Sequence, residues 1–152
     1  MTGVDDLALL RILHVAGAVL LLGNVTVTGF WATYLYRARA QVPFRPVARA
    51  ILWTDLVFTA LGGVVLTVSG ILLAMRQGYR VAETPWLLKG IAALAVSTLL
   101  WLVLLLPDQM RLERLRPGDD AQLRRLFLRW SLVGWTATGA LFYGLWVMVG
   151  KS

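Results

Sequence analysis

The sequence predicts an all-α fold: an integral membrane four-helix bundle whose antiparallel helices run up, down, up and down. Of the 152 residues, 59% are hydrophobic, and the mean hydropathy is +0.71, which is too apolar for one small water-soluble domain. A spanning helix needs roughly 20 apolar residues. Four stretches without Asp, Glu, Lys or Arg approach or exceed that length: residues 12–36, 56–75, 90–107 and 130–150. Because apolar and polar residues do not alternate in them, membrane-spanning strands are excluded.

The expected helices span residues 6–36, 46–75, 85–107 and 120–149 of a single transmembrane domain, residues 1–152. Pro43 and Pro46 bracket the turn before the second helix, since proline suits a first helical turn but disrupts an interior. Thr84 and Pro85 predict the start of the third helix as its N-cap and first residue. Pro107 is expected to weaken the end of that helix.

The fourth helix is expected to begin in water. Pro117 and Gly118 predict a turn, and Asp119 with Gln122 resembles a capping box at the helix start. The first helical turns are amphipathic, with arginines placed to reach lipid phosphates. Three apolar side chains of these turns are expected to lie on the bilayer: Leu123, Leu126 and Phe127.

The distribution of charge predicts the orientation of the chain, because positive residues collect in cytoplasmic loops. Ten of the 15 Lys and Arg residues flank the first and third loops. They are Arg37, Arg39, Arg45, Arg49, Arg111, Arg114, Arg116, Arg124, Arg125 and Arg129. We therefore expect a multi-pass protein of the bacterial inner membrane with both termini on the outer side. The net charge of +7 comes largely from these loop residues, which set the orientation of the chain in the membrane. No nucleic-acid partner is therefore expected.

The sequence lacks the residues that several kinds of cofactor and catalytic site require. The chain has no cysteine, which excludes disulfides, thiolate haem ligands and iron–sulfur clusters. It contains no HExxH, P-loop or GxGxxG motif, and no metal site is expected. The amino end has Asp5 and Asp6 where a signal peptide is positive, so the first helix is expected to be retained. The catalytic residues are unknown, and whether the protein is an enzyme is an open question.

Each predicted helix carries a stripe of small and polar residues at steps of three and four. The stripes are His14, Gly17, Leu21, Asn24 and Thr28; Asp55, Thr59, Gly62, Leu66 and Ser69; Trp86, Gly90, Ala93, Ser97 and Trp101; and Ser131, Gly134, Thr138, Leu141 and Met148. Such residues favour helix contacts in lipid, where the hydrophobic effect does not bring helices together. The four stripes predict one inward-facing bundle interior.

The polar bundle interior is expected to contain Asn24, Asp55 and Thr59. A charge within a span costs several kcal/mol unless it is paired or hydrated, so Asp55 requires an explanation. One interpretation is a structural carboxyl that is hydrogen-bonded to Asn24 and nearby threonines. The other is a transporter component in which Asp55 and Asn24 relay protons or ions. Transport usually needs several ionisable groups in series, and this chain supplies few.

The single histidine, His14, lies on the stripe of the first helix. It is either a packing residue that hydrogen-bonds to Ser69 or Thr67, or an axial ligand of haem b, since imidazole commonly ligates haem in helical bundles. Met75 and Met148 are candidates for a second axial ligand, and Lys89 is a candidate partner for the porphyrin. One histidine cannot supply bis-histidine ligation within one chain.

Three segments resemble a bacterial family of small predicted integral membrane proteins: LLRILHVAGAVLLLGNVTVTGFW, RAILWTDLVFTALGGVVLTVSGILLA, and PWLLKG followed by LLWLVLLLPDQMRL. This resemblance implies four helices and a membrane location, and no activity. More distantly, ILHV is similar to the helix-1 motif of the four-helix haem proteins of the protoporphyrinogen oxidase and copper-resistance D groups. That similarity implies functional roles for His14 and Lys89. This chain has no further histidines, which argues against copper transport.

The sequence thus predicts a small membrane protein of unassigned activity that assembles with itself or with a membrane partner in the lipid bilayer. The alternative is a haem-binding membrane oxidoreductase that uses His14. The weaker alternative is the transporter component that uses Asp55 and Asn24.

Overall fold

The computed structural model describes residues 3–116 and 118–151. Four long helices account for most of this range: α1 (Gly3–Arg37), α2 (Phe44–Arg76), α3 (Pro85–Arg114) and α4 (Asp120–Gly150). Each is long and apolar enough to cross a membrane, and the described part of the chain contains no strand. The predicted all-α fold with four spanning helices is therefore confirmed.

Helix α3 continues beyond the expected end. It runs through Pro107 to Arg114, and a π-helical turn, Trp101–Leu105, lies directly before Leu106 and Pro107. A proline inside an α-helix lacks one hydrogen-bond donor and its ring clashes with the preceding turn, so a widened turn at that place lets the helix continue. The disruption expected at Pro107 thus takes the form of a π turn, and Asp108 and Gln109 stay helical.

The other helix ends follow local capping chemistry. Asp119 caps α4, since its side chain accepts a hydrogen bond from the Gln122 backbone N–H. Thr84 precedes Pro85 at the start of α3, but its side chain makes no capping hydrogen bond. Of the turn expected before α4, Gly118 has a positive φ of 95°, while Pro117 lies outside the described residues.

Helices α1 and α2 form a tight pair. A Cβ atom at Gly17 would lie 2.6 Å from the Leu66 backbone nitrogen, and one at Gly62 would lie 2.8 Å from the Leu21 backbone nitrogen. Only glycine permits this approach of two backbones. Contacts of residues 14, 17, 21 and 24 with residues 69, 66, 62 and 55 run in opposite order along the two helices.

Helices α3 and α4 form the second pair. A Cβ at Gly144 would lie 3.1 Å from the Ala93 Cβ, and the Ser97 hydroxyl donates a hydrogen bond of 2.9 Å to the Ala137 carbonyl oxygen. Met148 packs over Gly90. Small residues of the predicted stripes thus pack the helices into two pairs, α1 with α2 and α3 with α4. Other stripe residues, such as Asp55, Trp101 and Thr138, line the space between the pairs.

The two pairs are joined at one end, which we call the clamped end. Here the rings of Tyr36 and Phe127 stack, with centroids 3.9 Å apart, and Phe44 meets both rings edge-on. Leu126 and Phe127 are only 8% and 4% exposed, so the expectation that they lie on the bilayer is wrong. The first turns of α4 are covered by α1 and α2, and apolar side chains there gain burial inside the protein.

Ion pairs add to the clamped end. The buried Asp108 carboxylate of α3 is hydrogen-bonded to the Arg129 guanidinium of α4, with Arg129 Nε 2.8 Å from Oδ2. Arg111 Nη1 lies 3.3 Å from the same carboxylate. Arg49 of α2 lies 3.2 Å from Glu113 of α3. These contacts tie α2 to α3 and α3 to α4.

Away from the clamped end the two pairs separate. Residues 60–76 of α2 approach no residue of α3 or α4 within 8 Å between Cα atoms, and the same holds for α1 against residues 85–100. We call this the open end. The separation leaves a cleft between the helix pairs.

Candidate functional site

The carboxyl group of Asp55 lies at the floor of the cleft. Asp55 begins a π-helical turn, Asp55–Thr59, and is 5% exposed. Its Oδ1 accepts hydrogen bonds from Asn24 Nδ2 at 2.8 Å and from the Thr59 hydroxyl at 3.3 Å. Its Oδ2 accepts one from Gln109 Nε2 at 2.5 Å. The carboxyl thus receives donors from α1, α2 and α3, and it makes no salt bridge with the described residues.

A chain of hydrogen bonds supports this arrangement. Asn24 Nδ2 also donates to the Thr59 oxygen at 2.9 Å, which leaves the Thr59 hydroxyl hydrogen free to bond Asp55. The Thr28 hydroxyl donates to Asn24 Oδ1 at 3.3 Å and orients the amide. The structure therefore brings Asn24, Asp55 and Thr59 together in one polar cluster.

The cleft above this cluster has a volume of about 390 Å³. Its walls are mostly apolar and come from all four helices, including Leu21, Val64, Leu94 and Leu141. Asp55 is the only ionisable residue that lines it within the described chain. Its shape and lining, an apolar chamber with polar groups at one end, are typical of small-molecule sites.

Unpartnered polar atoms converge on the same cleft. Five buried side-chain polar atoms in the described residues lack a hydrogen-bond partner. Four of them belong to residues that line the cleft: Trp101 Nε1, Gln109 Oε1, Trp130 Nε1 and Ser131 Oγ. Each such atom costs about 1–3 kcal/mol when it is left unpaired. The unpartnered atoms are therefore concentrated in the residues around one chamber.

Both π-helical turns lie at this site. One begins at Asp55 and the other at Trp101, whose indole lies near the Asp55 carboxyl. A π turn adds one residue to a helical turn and is often found at functional sites, since it re-aims the side chains around it. Residues of both turns line the cleft.

The residues considered for haem lie elsewhere. His14 Nδ1 lies 3.0 Å from the Leu66 carbonyl oxygen and 3.3 Å from the Ser69 hydroxyl, and its ring packs against Gly70. Since a carbonyl only accepts, Nδ1 is the donor in the bond to Leu66. Met148 covers Gly90 on the other helix pair, while Met75 is 71% exposed and Lys89 is exposed. The described contacts do not bring these four residues together.

Three residues of the site were not anticipated as functional. Gln109 follows Pro107, near which the sequence predicts the end of the third helix. Trp130 begins an apolar run, and Ser131 lies on a stripe of packing residues. The signal that was available is the four-residue spacing of Trp101, Leu105 and Gln109, which predicts one helix face if the helix is allowed to pass through Pro107.

Comparison with known proteins places the chain in a family. The sequence profile of a family described as predicted integral membrane protein, DUF2269, matches residues 8–152. No curated protein and no solved structure matches the chain. The match takes in all but the first seven residues, and it confirms the resemblance seen in the sequence. The chain, with its four apolar helices and the cleft between them, belongs to the DUF2269 family of predicted integral membrane proteins.

Proposed function

We propose that this protein is a membrane-embedded binding protein that takes a lipophilic small molecule with a polar head into the cleft between its two helix pairs. The observation that carries the proposal is an apolar chamber lined by one buried carboxyl and by four residues whose buried polar atoms lack hydrogen-bond partners. An apolar body would contact the walls and a polar head would meet the floor.

The size of the cleft, about 390 Å³, lies in the range of small-molecule sites. Assembly with a second copy or a membrane partner, the role expected first from the sequence, would use an outer helix face. Access to the cleft would come from the bilayer at the open end, where the pairs separate.

The ligand-binding proposal has a steric test. A Cβ at Gly63 would meet no heavy atom within 4 Å, and Gly63 lines the cleft, so Gly63→Leu fills the chamber without striking the backbone. Gly139→Leu is the matched control, since Gly139 is exposed, equally open and outside the cleft. The probe is triphenylphosphine oxide, which joins an apolar body to one strong acceptor oxygen suited to indole N–H groups.

Native mass spectrometry of detergent-released protein should show a 1:1 adduct with wild type and with Gly139→Leu. The adduct should fall by about tenfold in Gly63→Leu, because the added side chain occupies the site. Equal adducts in both glycine variants, or none in wild type, would overturn the proposal.

For topology we propose a bacterial inner-membrane protein with alternating up-down-up-down helices and both termini outside. The support is the ten cationic residues that flank the first and third loops. A reporter enzyme fused after Ser152 should be active on the outer side only. Activity confined to the cytosol would reverse the orientation.

A haem-binding role for His14 is the second candidate. The bond from Nδ1 to the Leu66 carbonyl supports it, because it fixes the tautomer that leaves Nε2 available as a ligand. Haem-supplemented protein should then show a Soret band that His14→Ala loses. A missing band, or the same band in the variant, removes this candidate.

A transporter role for Asp55 and Asn24 is supported only by their hydrogen bond at the floor of the cleft. Proteoliposomes that contain a pH-sensitive dye would test proton movement. Flux that is equal in wild type and Asp55→Asn contradicts the role.

A further inference from the structure

The charge of the cleft floor is not balanced within the fold. Asp55 lines the cleft, and none of the other described lining residues is Lys, Arg or His. The donors that hold its carboxyl are two amides and a hydroxyl, which are neutral. Asp108 is the contrasting case, because Arg129 and Arg111 neutralise it. A carboxylate inside a membrane span is costly unless an opposite charge or water accompanies it.

The walls near Asp55 suit a positive charge. The indoles of Trp101, Trp130 and Trp135 line the cleft, and the faces of indole rings attract cations. Gln109 Oε1 is buried and unpartnered, so it is an acceptor for an N–H group beside the carboxylate. An anionic head such as a lipid phosphate would instead be repelled by Asp55.

We infer that the ligand of the cleft is an amphipathic organic cation, a lipophilic amine or onium ion, whose charge pairs with Asp55 while its apolar body extends along the walls toward the open end. This inference rests on the proposed function and adds the class of ligand. The indole N–H groups and Ser131 would then bind an acceptor oxygen on the same molecule, where it carries one.

Three probes of similar shape separate charge from size. Tetraphenylphosphonium is a cation, tetraphenylborate is an anion, and triphenylphosphine oxide is neutral. Affinities are measured by native mass spectrometry of the full chain in detergent. We expect tetraphenylphosphonium to bind about tenfold more tightly than the neutral probe, and tetraphenylborate to bind more weakly than both.

Asp55 variants test the source of this preference. Asp55→Asn keeps the shape and removes the charge, so the cation should lose about tenfold in affinity and its advantage over the neutral probe should disappear. Asp55→Glu keeps the charge and should keep the preference. Asp119→Asn is the matched control, since it removes one carboxylate at the exposed start of α4 and leaves the cleft intact. Circular dichroism and gel filtration establish that each variant is folded.

The outcomes separate this inference from the proposed function. If triphenylphosphine oxide binds, Gly63→Leu blocks it, and no probe shows a charge preference, the ligand-binding proposal stands and the cation inference is overturned. A preference that persists in Asp55→Asn also overturns it. If none of the probes binds in a manner that Gly63→Leu blocks, both proposals fail.

Discussion

At the scale of single residues, two buried aspartates show how the same side chain serves different ends. Asp108 is 1% exposed and paired with two arginines, and its ion pair with Arg129 joins α3 to α4. Asp55 is 5% exposed and bonded only by neutral donors, so no cationic side chain of the described residues pairs with it. The difference lies in the neighbours and not in the depth of burial.

Replacing Asn24 by Leu should destabilise the protein by about 1–3 kcal/mol, because Asp55 Oδ1 then loses its amide donor. Thr26→Val is the control on the same helix, since the Thr26 hydroxyl is buried without a partner and its removal should stabilise the protein by about 1 kcal/mol. Unfolding by SDS in mixed micelles, followed by circular dichroism, measures both. Equal losses for the two variants would contradict the role of the Asn24 amide.

Ser131 and Ser97 offer a comparison between a ligand-directed and a structural hydroxyl. Ser131→Ala removes an unpartnered buried group, so stability should rise by about 1 kcal/mol while triphenylphosphine oxide binding weakens several-fold. Ser97→Ala removes the bond to the Ala137 carbonyl and should cost about 1 kcal/mol of stability. Thermal unfolding and native mass spectrometry give the two readouts. A Ser131→Ala variant that loses stability and keeps its affinity would show a structural hydroxyl.

At the scale of helices, glycine sets how closely α1 and α2 approach. Gly17→Ala places a methyl group 2.6 Å from a backbone nitrogen that cannot rotate away, and overpacking of this kind costs about 1–3 kcal/mol. Gly23→Ala on the same helix meets nothing within 4 Å and should stabilise by up to about 1 kcal/mol through helix propensity. SDS unfolding distinguishes them. A neutral Gly17→Ala would mean that the helix pair packs less tightly than described.

The π turns are the other feature at this scale. Each lies where its helix must do two things, cross the membrane and present a polar side chain to the cleft: Asp55 begins one turn and Trp101 the other. In α3 the π turn also lets the helix continue through Pro107, which carries Gln109 to Asp55. Both π turns therefore help to place side chains of the polar site.

At the scale of the whole molecule, contacts between the helix pairs are concentrated at the clamped end. Stacked aromatic rings and the Asp108 ion pair hold that end, while the pairs separate beyond the π turns. Because few contacts join the helix pairs at the open end, we expect the pairs to move apart and together there more easily than at the clamped end. A ligand that contacts both pairs would restrict this motion.

Spin labels test this asymmetry, and the lack of native cysteine makes labelling specific. Labels on Leu9→Cys and Val149→Cys report on the open end, and labels on Tyr34→Cys and Leu128→Cys report on the clamped end; all four positions are exposed. The distance distribution should be broader for the open-end pair, and tetraphenylphosphonium should narrow it. Distributions of equal width at both ends would contradict a fold that is clamped at one end.

Four helices long and apolar enough to cross a membrane follow from the amino-acid sequence alone, because uncharged runs of that length cannot remain in water and must satisfy their backbone in lipid. The sequence also identified Asn24, Asp55 and Thr59 as one polar group, since helical spacing aligns the last two and a buried carboxyl needs a donor at its own depth.

How the helices pair, and therefore where the site lies, depends on contacts between residues that are distant in sequence. The four stripes look alike in sequence, and their division into two pairs follows from backbone fit at glycines on facing helices. The burial of Phe127 and the arrival of Gln109 at Asp55 likewise depend on residues far away in the chain. Local spacing sets the face on which a side chain lies, but the partner helix sets whether that side chain is bonded, covered or left open to a ligand.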